Sequence, residues 1–406
     1  MSTKQVAVQR FLAATSFSSS KVRSAVGKVL GTSQRYTRFF VRRDGANRPQ
    51  NLFLTGMMLL SEVARREGLF DWVATHVVNL AQGSPRRLFA LVYLVGTVTT
   101  IFLSNDATAV VLTPAVFAAA RRAKADPMPL LYICAFVANA ASFVLPISNP
   151  ANLVLYGSRM PALGEWLAHF ALPSVASIAC TFVMLRMTQR HALRGRCASG
   201  LPVLPLTGGA RIALAGIAVT AVALMAVSMM DRPLGLPTAV AGCVTAACVL
   251  YRDRAACVPI VREISWSVLP LVAGLFVLVE ALDRNGAVRS LAGLLRAWTA
   301  SGEQAAAAAS GIALASNLVN NLPAGLIASS TIGAAHSPQT VIGAILIGVD
   351  LGPNLSVTGS LATILWLAAI RREGQRVGFG EFLAVGVCVM LPALVAALVT
   401  RLTLGA

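Results

Sequence analysis

Long apolar blocks alternate with short polar breaks along this chain, and the breaks come in matched pairs. Ala210–Met230, Trp266–Leu282 and Phe379–Leu402 approach or reach the roughly 20 apolar residues a helix needs to cross a hydrocarbon core of about 30 Å. Other blocks are shorter. Leu88–Leu103 runs into Ser104-Asn105-Asp106 and resumes at Ala107–Ala120; Arg86 and Arg87 stand before the pair, Arg121, Arg122 and Lys124 after it. Neither arm spans comfortably alone. Two apolar arms meeting at a polar tip between cationic flanks predict a re-entrant hairpin, tolerated only where protein or water covers the irregular backbone. Pro129–Leu145 then leads into Ser148-Asn149-Pro150-Ala151-Asn152-Leu153-Val154-Leu155-Tyr156-Gly157-Ser158, where helix breakers and amides interrupt the block.

The second half repeats this order. A helix (266–282), an amphipathic piece (Ala287–Trp298) and an apolar arm (304–315) lead to a polar tip from Ser316 to Pro323 and a second arm (324–334). A half-helix (Val341–Val349), a break at 350–360, another half-helix (361–370) and a last span follow. Gly352-Pro353-Asn354-Leu355-Ser356-Val357-Thr358-Gly359-Ser360 repeats the pattern Asn-Leu-x-(Leu/Val)-x-Gly-Ser. The expected fold is an all-α polytopic membrane protein, an inverted repeat of re-entrant hairpin plus discontinuous helix, with about 8–10 membrane-embedded segments plus two hairpins. Its domains are a basic, disordered extension (1–50), a first transport half (51–209; hairpin about 88–120, broken helix about 129–158) and a second (210–406; hairpin about 304–334, broken helix about 338–370).

Composition agrees with the pattern. With 56% hydrophobic and 12% charged residues and a mean hydropathy of +0.71, an ordinary soluble globule is excluded. The formal charge of +18 would suggest nucleic acid in a soluble protein, but half of it sits in residues 1–50 and no basic patch is interleaved with aromatics. That leader reads either as a basic amphipathic targeting segment or, the favoured reading, as an extension without a role in transport. With the first hairpin entering from the cytoplasm, loops on that side hold sixteen Lys and Arg against six opposite, as the positive-inside rule expects. This orientation turns the second hairpin outward, and the expected location is the inner (plasma) membrane. Seven scattered cysteines form neither a disulfide framework nor a metal motif, and no phosphate-binding loop is present.

Candidate chemistry gathers at the tips and breaks. Ser104, Asn105 and Thr108 mark the first tip, Asn317, Asn320 and Asn321 the second; Asn149 and Asn152 stand in the first break, Asn354, Ser356 and Thr358 in the second. Helix capping accounts for one such residue but not for so many at membrane depth. Amides both donate and accept, so this set suits a neutral polyhydroxy solute or, with backbone carbonyls freed by Pro150 and Pro353, a desolvated cation. Asn149 and Asn152 are expected to face Asn354. Asp106 and Asp350, the carboxylates at the tips or breaks, are the proton-coupling candidates; Glu62 and Glu280 are read as structural. Cys134 is too far from Asn149 for a thiolate site, so no metal is expected.

Together Phe102-Leu103-Ser104-Asn105-Asp106-Ala107, Ser148-Asn149-Pro150-Ala151-Asn152, Ser316-Asn317-x-x-Asn320-Asn321-Leu322-Pro323-Ala324 and the run from Leu351 to Trp366 resemble the ArsB-type arsenite and antimonite efflux carriers of the ion transporter superfamily. The resemblance covers about residues 52–402. It implies a carrier rather than an enzyme, without a cofactor, exporting arsenite or antimonite as a neutral hydroxide in exchange for protons. Its implied partners are the lipid bilayer, a separate cytosolic ATPase subunit and a second copy in a homodimer. It also implies further transmembrane helices where this chain has its basic leader. Sodium/proton exchange and sodium-coupled carboxylate transport are the alternatives within the superfamily; an intramembrane hydrolase using Asp106 with Asp350, or a channel, lies outside it.

Overall fold

A computed structural model describes residues 52–404 except 54, 158–159, 204, 231, 233, 253–280, 282–283, 287–288 and 294–301, all within the compact unit Pro49–Ala406. The leader at 1–50, most of the helix expected at 266–282 and part of the amphipathic piece at 287–298 lie outside the described residues.

The described chain is helical, and five of its helices are long and apolar enough to cross a membrane. We number the helices α1 (55–66), α2 (Leu69–Leu80), α3 (Pro85–Leu103), α4 (Thr113–Arg122), α5 (Pro127–Ala140), α6 (Pro150–Tyr156) and α7 (Leu163–Thr188). α8 (Gly208–Met229), α9 (Gly235–Arg252), α10 (Gly302–Val319), α11 (Asn321–Ala335), α12 (Gln339–Leu351), α13 (Leu361–Arg372) and α14 (Phe379–Leu404) follow. α3, α7, α8, α9 and α14 carry the five spanning stretches. The starts are set locally: Ser84 accepts from Arg87 N with Pro85 next to it, and Asp126 accepts from Met128 N ahead of Pro127. A proline in the first turn loses no intrahelical hydrogen bond and presets φ.

Two expectations change. The first hairpin arm is not short: Pro85-Arg86-Arg87 extend it to 19 residues, about 28 Å at 1.5 Å per residue. Both arms also face α2, whose Val73 and Val77 line one small cavity with Val92 of α3 and Val116 of α4. The second tip is also narrower than Ser316–Pro323. α10 continues through Ser316 and Asn317 to Val319, and the chain turns at Asn320 alone.

Loop contacts place the ends. Cys197 N donates to Gly83 O at 3.0 Å and Ala198 N to Ala123 O at 2.6 Å, while the Asn79 amide pairs both ways with the Leu201 backbone. The two outer ends of the first hairpin and the arginine-rich loop after α7 therefore share one end of the bundle. Tyr132 of α5 reaches Glu381 at the start of α14 on that side, 2.8 Å apart. At the other end Gln339, opening α12, meets Tyr156 at 3.3 Å and accepts from Arg401 through its carbonyl. Hence α5 and α12 enter from opposite ends and stop near each other in the interior.

Aromatic packing holds this crossing from both sides. Tyr132, Phe136, Trp366 and Phe382 cluster toward the arginine-rich end, with Trp366 Nε1 donating to Leu131 O at 2.8 Å. Tyr156, Trp166 and Phe170 cluster at the other, and Trp166 Nε1 donates to Phe143 O. Indole and phenol groups combine large buried area with one polar handle, and the two indoles here direct theirs at backbone carbonyls, one in α5 and one in the first break.

Candidate functional site

Each hairpin turns on a strained residue. Ser104 has φ 110° and ψ 161°, Asn320 φ 74° and ψ 153°, a region that is essentially glycine territory. After Ser104 the chain makes one helical turn, Asn105–Ala107, then a π-helical turn, Thr108–Leu112, before α4. Ser104 Oγ accepts from Ala107 N, Asn105 Oδ1 from Asp106 N, and the Thr108 and Thr100 hydroxyls pair at 2.8 Å. The half-buried Asp106 carboxylate has no hydrogen-bond partner among the described residues.

The second tip is tied to the second break. Asn317 Nδ2 donates to Ala313 O and Gly352 O, both at 2.8 Å; its backbone carbonyl accepts from Ser356 and Thr358. Asn320 Nδ2 donates to Thr358 O, and Asn321 N donates to Gly359 O at 2.8 Å. A side chain at Gly359 would put its Cβ 2.8 Å from Asn317 Oδ1 and 2.6 Å from Pro353 Cα, so only glycine fits.

The breaks themselves interrupt α5 at Ala141 and α12 at Leu351. In the first, residues 141–149 unwind apart from a short turn at Pro146–Ser148; Asn149 caps α6 by accepting from Ala151 N, and Ser148 Oγ donates to Ile101 O of the first hairpin. In the second, a turn at Gly352–Leu355 leads to Ser360, which caps α13 reciprocally with Thr363.

Where α5 and α12 stop, the two halves bond to each other. Asn149 Nδ2 donates to Asp350 Oδ1 at 2.8 Å and Ser142 Oγ lies 2.7 Å from Asp350 Oδ2. Asn139 Nδ2 donates to Asn354 Oδ1 at 2.9 Å, and Asn354 Nδ2 to Phe136 O. The same Ser142 hydroxyl lies 2.7 Å from Asn139 O, so one proton faces two acceptors. Asp350, Asn139, Ser142, Asn152 and Asn354 are fully buried. Packing is exchanged as well: α13 lies against the first tip, and α11 against α6.

The structure thus brings Asn149 to Asp350 rather than to Asn354. Asn152 turns inward to its own break, donating to Ser142 O at 2.8 Å and Leu145 O at 3.4 Å, which is backbone satisfaction. Asn354 meets Asn139. Neither Asn139 nor Ser142 stands out in the sequence, because Pro129–Leu145 carries no proline or glycine after its first residue to announce a break before Pro146; two polar residues three apart in an apolar run are the available signal. Among the described residues, four unpartnered buried amide oxygens remain, those of Asn139 and Asn152 beside the first break and of Asn317 and Asn321 at the second tip. Glu62 is paired with Arg65. Cys134 Sγ lies against Leu130 O, and the described residues hold no cluster of three His, Cys, Asp or Glu that could bind a metal. A cavity of about 310 Å³ between α10, α11 and α12 is lined by Ile312, Ile327, Ile345 and other apolar groups, with Thr331 as its polar member, and does not meet the crossing.

Comparison with known proteins places this geometry. A family model described as citrate transporter (CitMHS) matches residues 6–349. The arsenical pump membrane protein of Yersinia enterocolitica is 28% identical over 365 residues, covering 86% of this chain and 85% of the relative. That of Escherichia coli K12 is 27% identical with the same coverage. In three dimensions the chain resembles the crystal structure of the Alcanivorax borkumensis YdaH transporter, described as having an unusual topology, with a TM-score of 0.57, 16% identity, and 90% of this chain and 87% of that one covered. The likeness shows a polytopic transporter fold.

Proposed function

This chain belongs to the citrate-transporter family and is a secondary transporter, and from that premise we propose that it exports arsenite or antimonite as neutral hydroxides in exchange for protons. The observation that carries the reading is the chemistry of the crossing. Amides and hydroxyls surround one buried carboxylate, Asp350, whose partners among the described residues are Ser142 and Asn149 rather than a Lys or Arg. A carboxylate cargo would have to shed its water beside Asp350 without a fixed cation in return. A neutral trihydroxide meets groups that accept and donate one hydrogen bond each. The 28% identical arsenical pump relatives support the same cargo.

Asp350 is the proposed proton carrier. With the carboxyl protonated, Asp350 donates to Ser142 and Ser142 donates to Asn139 O; with it ionised, Ser142 must turn to Asp350 and release Asn139 O. Losing the proton thereby frees the Asn139 carbonyl at the end of α5, where the first break begins. Asp106, without a side-chain partner, serves as a second proton site at the first tip. Ser104, Asn105 and Thr108, with Asn317, Asn320 and Asn321, then close on the cargo from opposite sides of an inverted repeat, and Asn149, Asn152, Asn354, Ser356 and Thr358 line its path in alternating access. The setting is a bacterial plasma membrane, with a cytosolic ATPase subunit as an auxiliary partner.

The test is accumulation in everted membrane vesicles from an arsenite-sensitive bacterium. The proposal expects arsenite uptake that collapses when the proton gradient is dissipated. Gradient-driven uptake of citrate, with none of arsenite or antimonite, would replace it by the carboxylate reading.

A further inference from the structure

We propose that Asn139, together with Asn152, determines cargo specificity, their side-chain oxygens accepting hydrogen bonds from two hydroxyls of a neutral trihydroxide. The inference rests on the reading of the cargo given above and assigns to it a contact residue outside the tip and break sequences.

Asn139 is the penultimate residue of α5 and fully buried. Its amide cannot turn over: Nδ2 faces Asn354 Oδ1, and the Asn354 amide is itself fixed by donation to Phe136 O. A reversed Asn139 would set two oxygens against each other. Asn152 is fixed in the same way, because reversal would point its oxygen at the Ser142 and Leu145 carbonyls. Both Oδ1 atoms are consequently held as acceptors, both lack a partner among the described residues, and both side chains belong to residues tied to Ser142, one through its hydroxyl and the other through its carbonyl. A buried acceptor without a donor costs free energy in the empty site that a donor on the cargo recovers.

The pair selects by sign. Two fixed amide oxygens repel an anion and favour a donor. A bare cation needs several oxygens at once, and Asn354 Oδ1, Ser142 O and Leu145 O would each have to share it with a hydrogen bond already formed. A hydroxyl needs one acceptor only.

The experiment measures binding to the purified full-length chain in lipid nanodiscs by calorimetry, using arsenite, antimonite, the dimethyl analogue of arsenite with one hydroxyl, citrate, and sodium chloride against choline chloride. The wild type is expected to bind arsenite about tenfold more tightly than the one-hydroxyl analogue, because a site that hydrogen-bonds two hydroxyls discriminates against the loss of one. Asn139→Leu is expected to bring the two within about twofold. Asn152→Leu provides the same comparison independently, and size-exclusion profiles check the fold of each. Variants that keep the wild-type preference overturn the assignment while leaving the cargo reading intact. A response to sodium that is lost in the variants makes the oxygens cation ligands and overturns it too. Failure of the wild type to bind arsenite or antimonite refutes the cargo reading and the assignment with it.

Discussion

The two breaks share an architecture and divide the chemistry. Each stops a buried helix in the interior, restarts it with a capping side chain, and lies against a hairpin that turns on a strained residue. Yet the first break contributes donors, Ser142 and Asn149, and the second contributes the acid that receives them, Asp350. The tips divide the other way, with Asp106, which has no hydrogen-bond partner among the described residues, in the first and amides and a hydroxyl in the second. Repetition therefore supplies the frame, and departure from repetition supplies the charge.

Moving or deleting that charge should have the largest effect. Asp350→Asn is expected to lower transport by at least about 10–100-fold, the worth of hydrogen bonds to a charged group. Exchanging the pair as Asn149→Asp with Asp350→Asn restores one amide and one acid but moves the acid to the first break; no rescue is expected, and rescue would show that the division between breaks is immaterial. Next come the paired glycines of the repeat. Gly359→Ala drives a Cβ into Pro353 and Asn317 and should destabilise by on the order of 1–3 kcal/mol in thermal unfolding. Gly157, at φ 57°, has nothing within 4 Å of a Cβ, so its alanine variant meets only backbone strain, of about 1–3 kcal/mol.

Ser142→Ala removes the hydroxyl that chooses between Asp350 and Asn139, at about 0.5–1.5 kcal/mol. The pH at which transport is half-maximal should move. Ser148→Ala, in the same break but bonded to Ile101 O, should leave that pH where it is. Smallest is the effect at the tips: Ser104→Gly and Asn320→Gly relieve a glycine-type backbone and are expected to stabilise by about 1 kcal/mol or less, read as a slightly raised melting temperature, while transport falls.

Much of this frame is legible in the sequence because membrane-depth breaks need unusual residues. Pro150 and Pro353, the Asn-Leu-x-x-x-Gly-Ser echo and the Ser-Asn tips announce where helices stop. Hidden in it are features that depend on partners distant in sequence. The first break opens at Ala141 among alanines, with no breaker to mark it, so Asn139 and Ser142 read as part of a plain helix. The pairing of Asn149 with Asp350 rather than Asn354 follows from how far α12 penetrates before stopping. The length of α3 is obscured because Arg86 and Arg87 look like flanks although Ser84 and Pro85 start the helix ahead of them.

The most direct test of a proton-coupled crossing is arsenite flux in proteoliposomes containing the purified chain alone, with and without an imposed proton gradient, for the wild type and Asp350→Asn. The account predicts uptake against a concentration gradient in the wild type, driven by the proton gradient, and none in Asp350→Asn. Uptake in the variant equal to that of the wild type would contradict it.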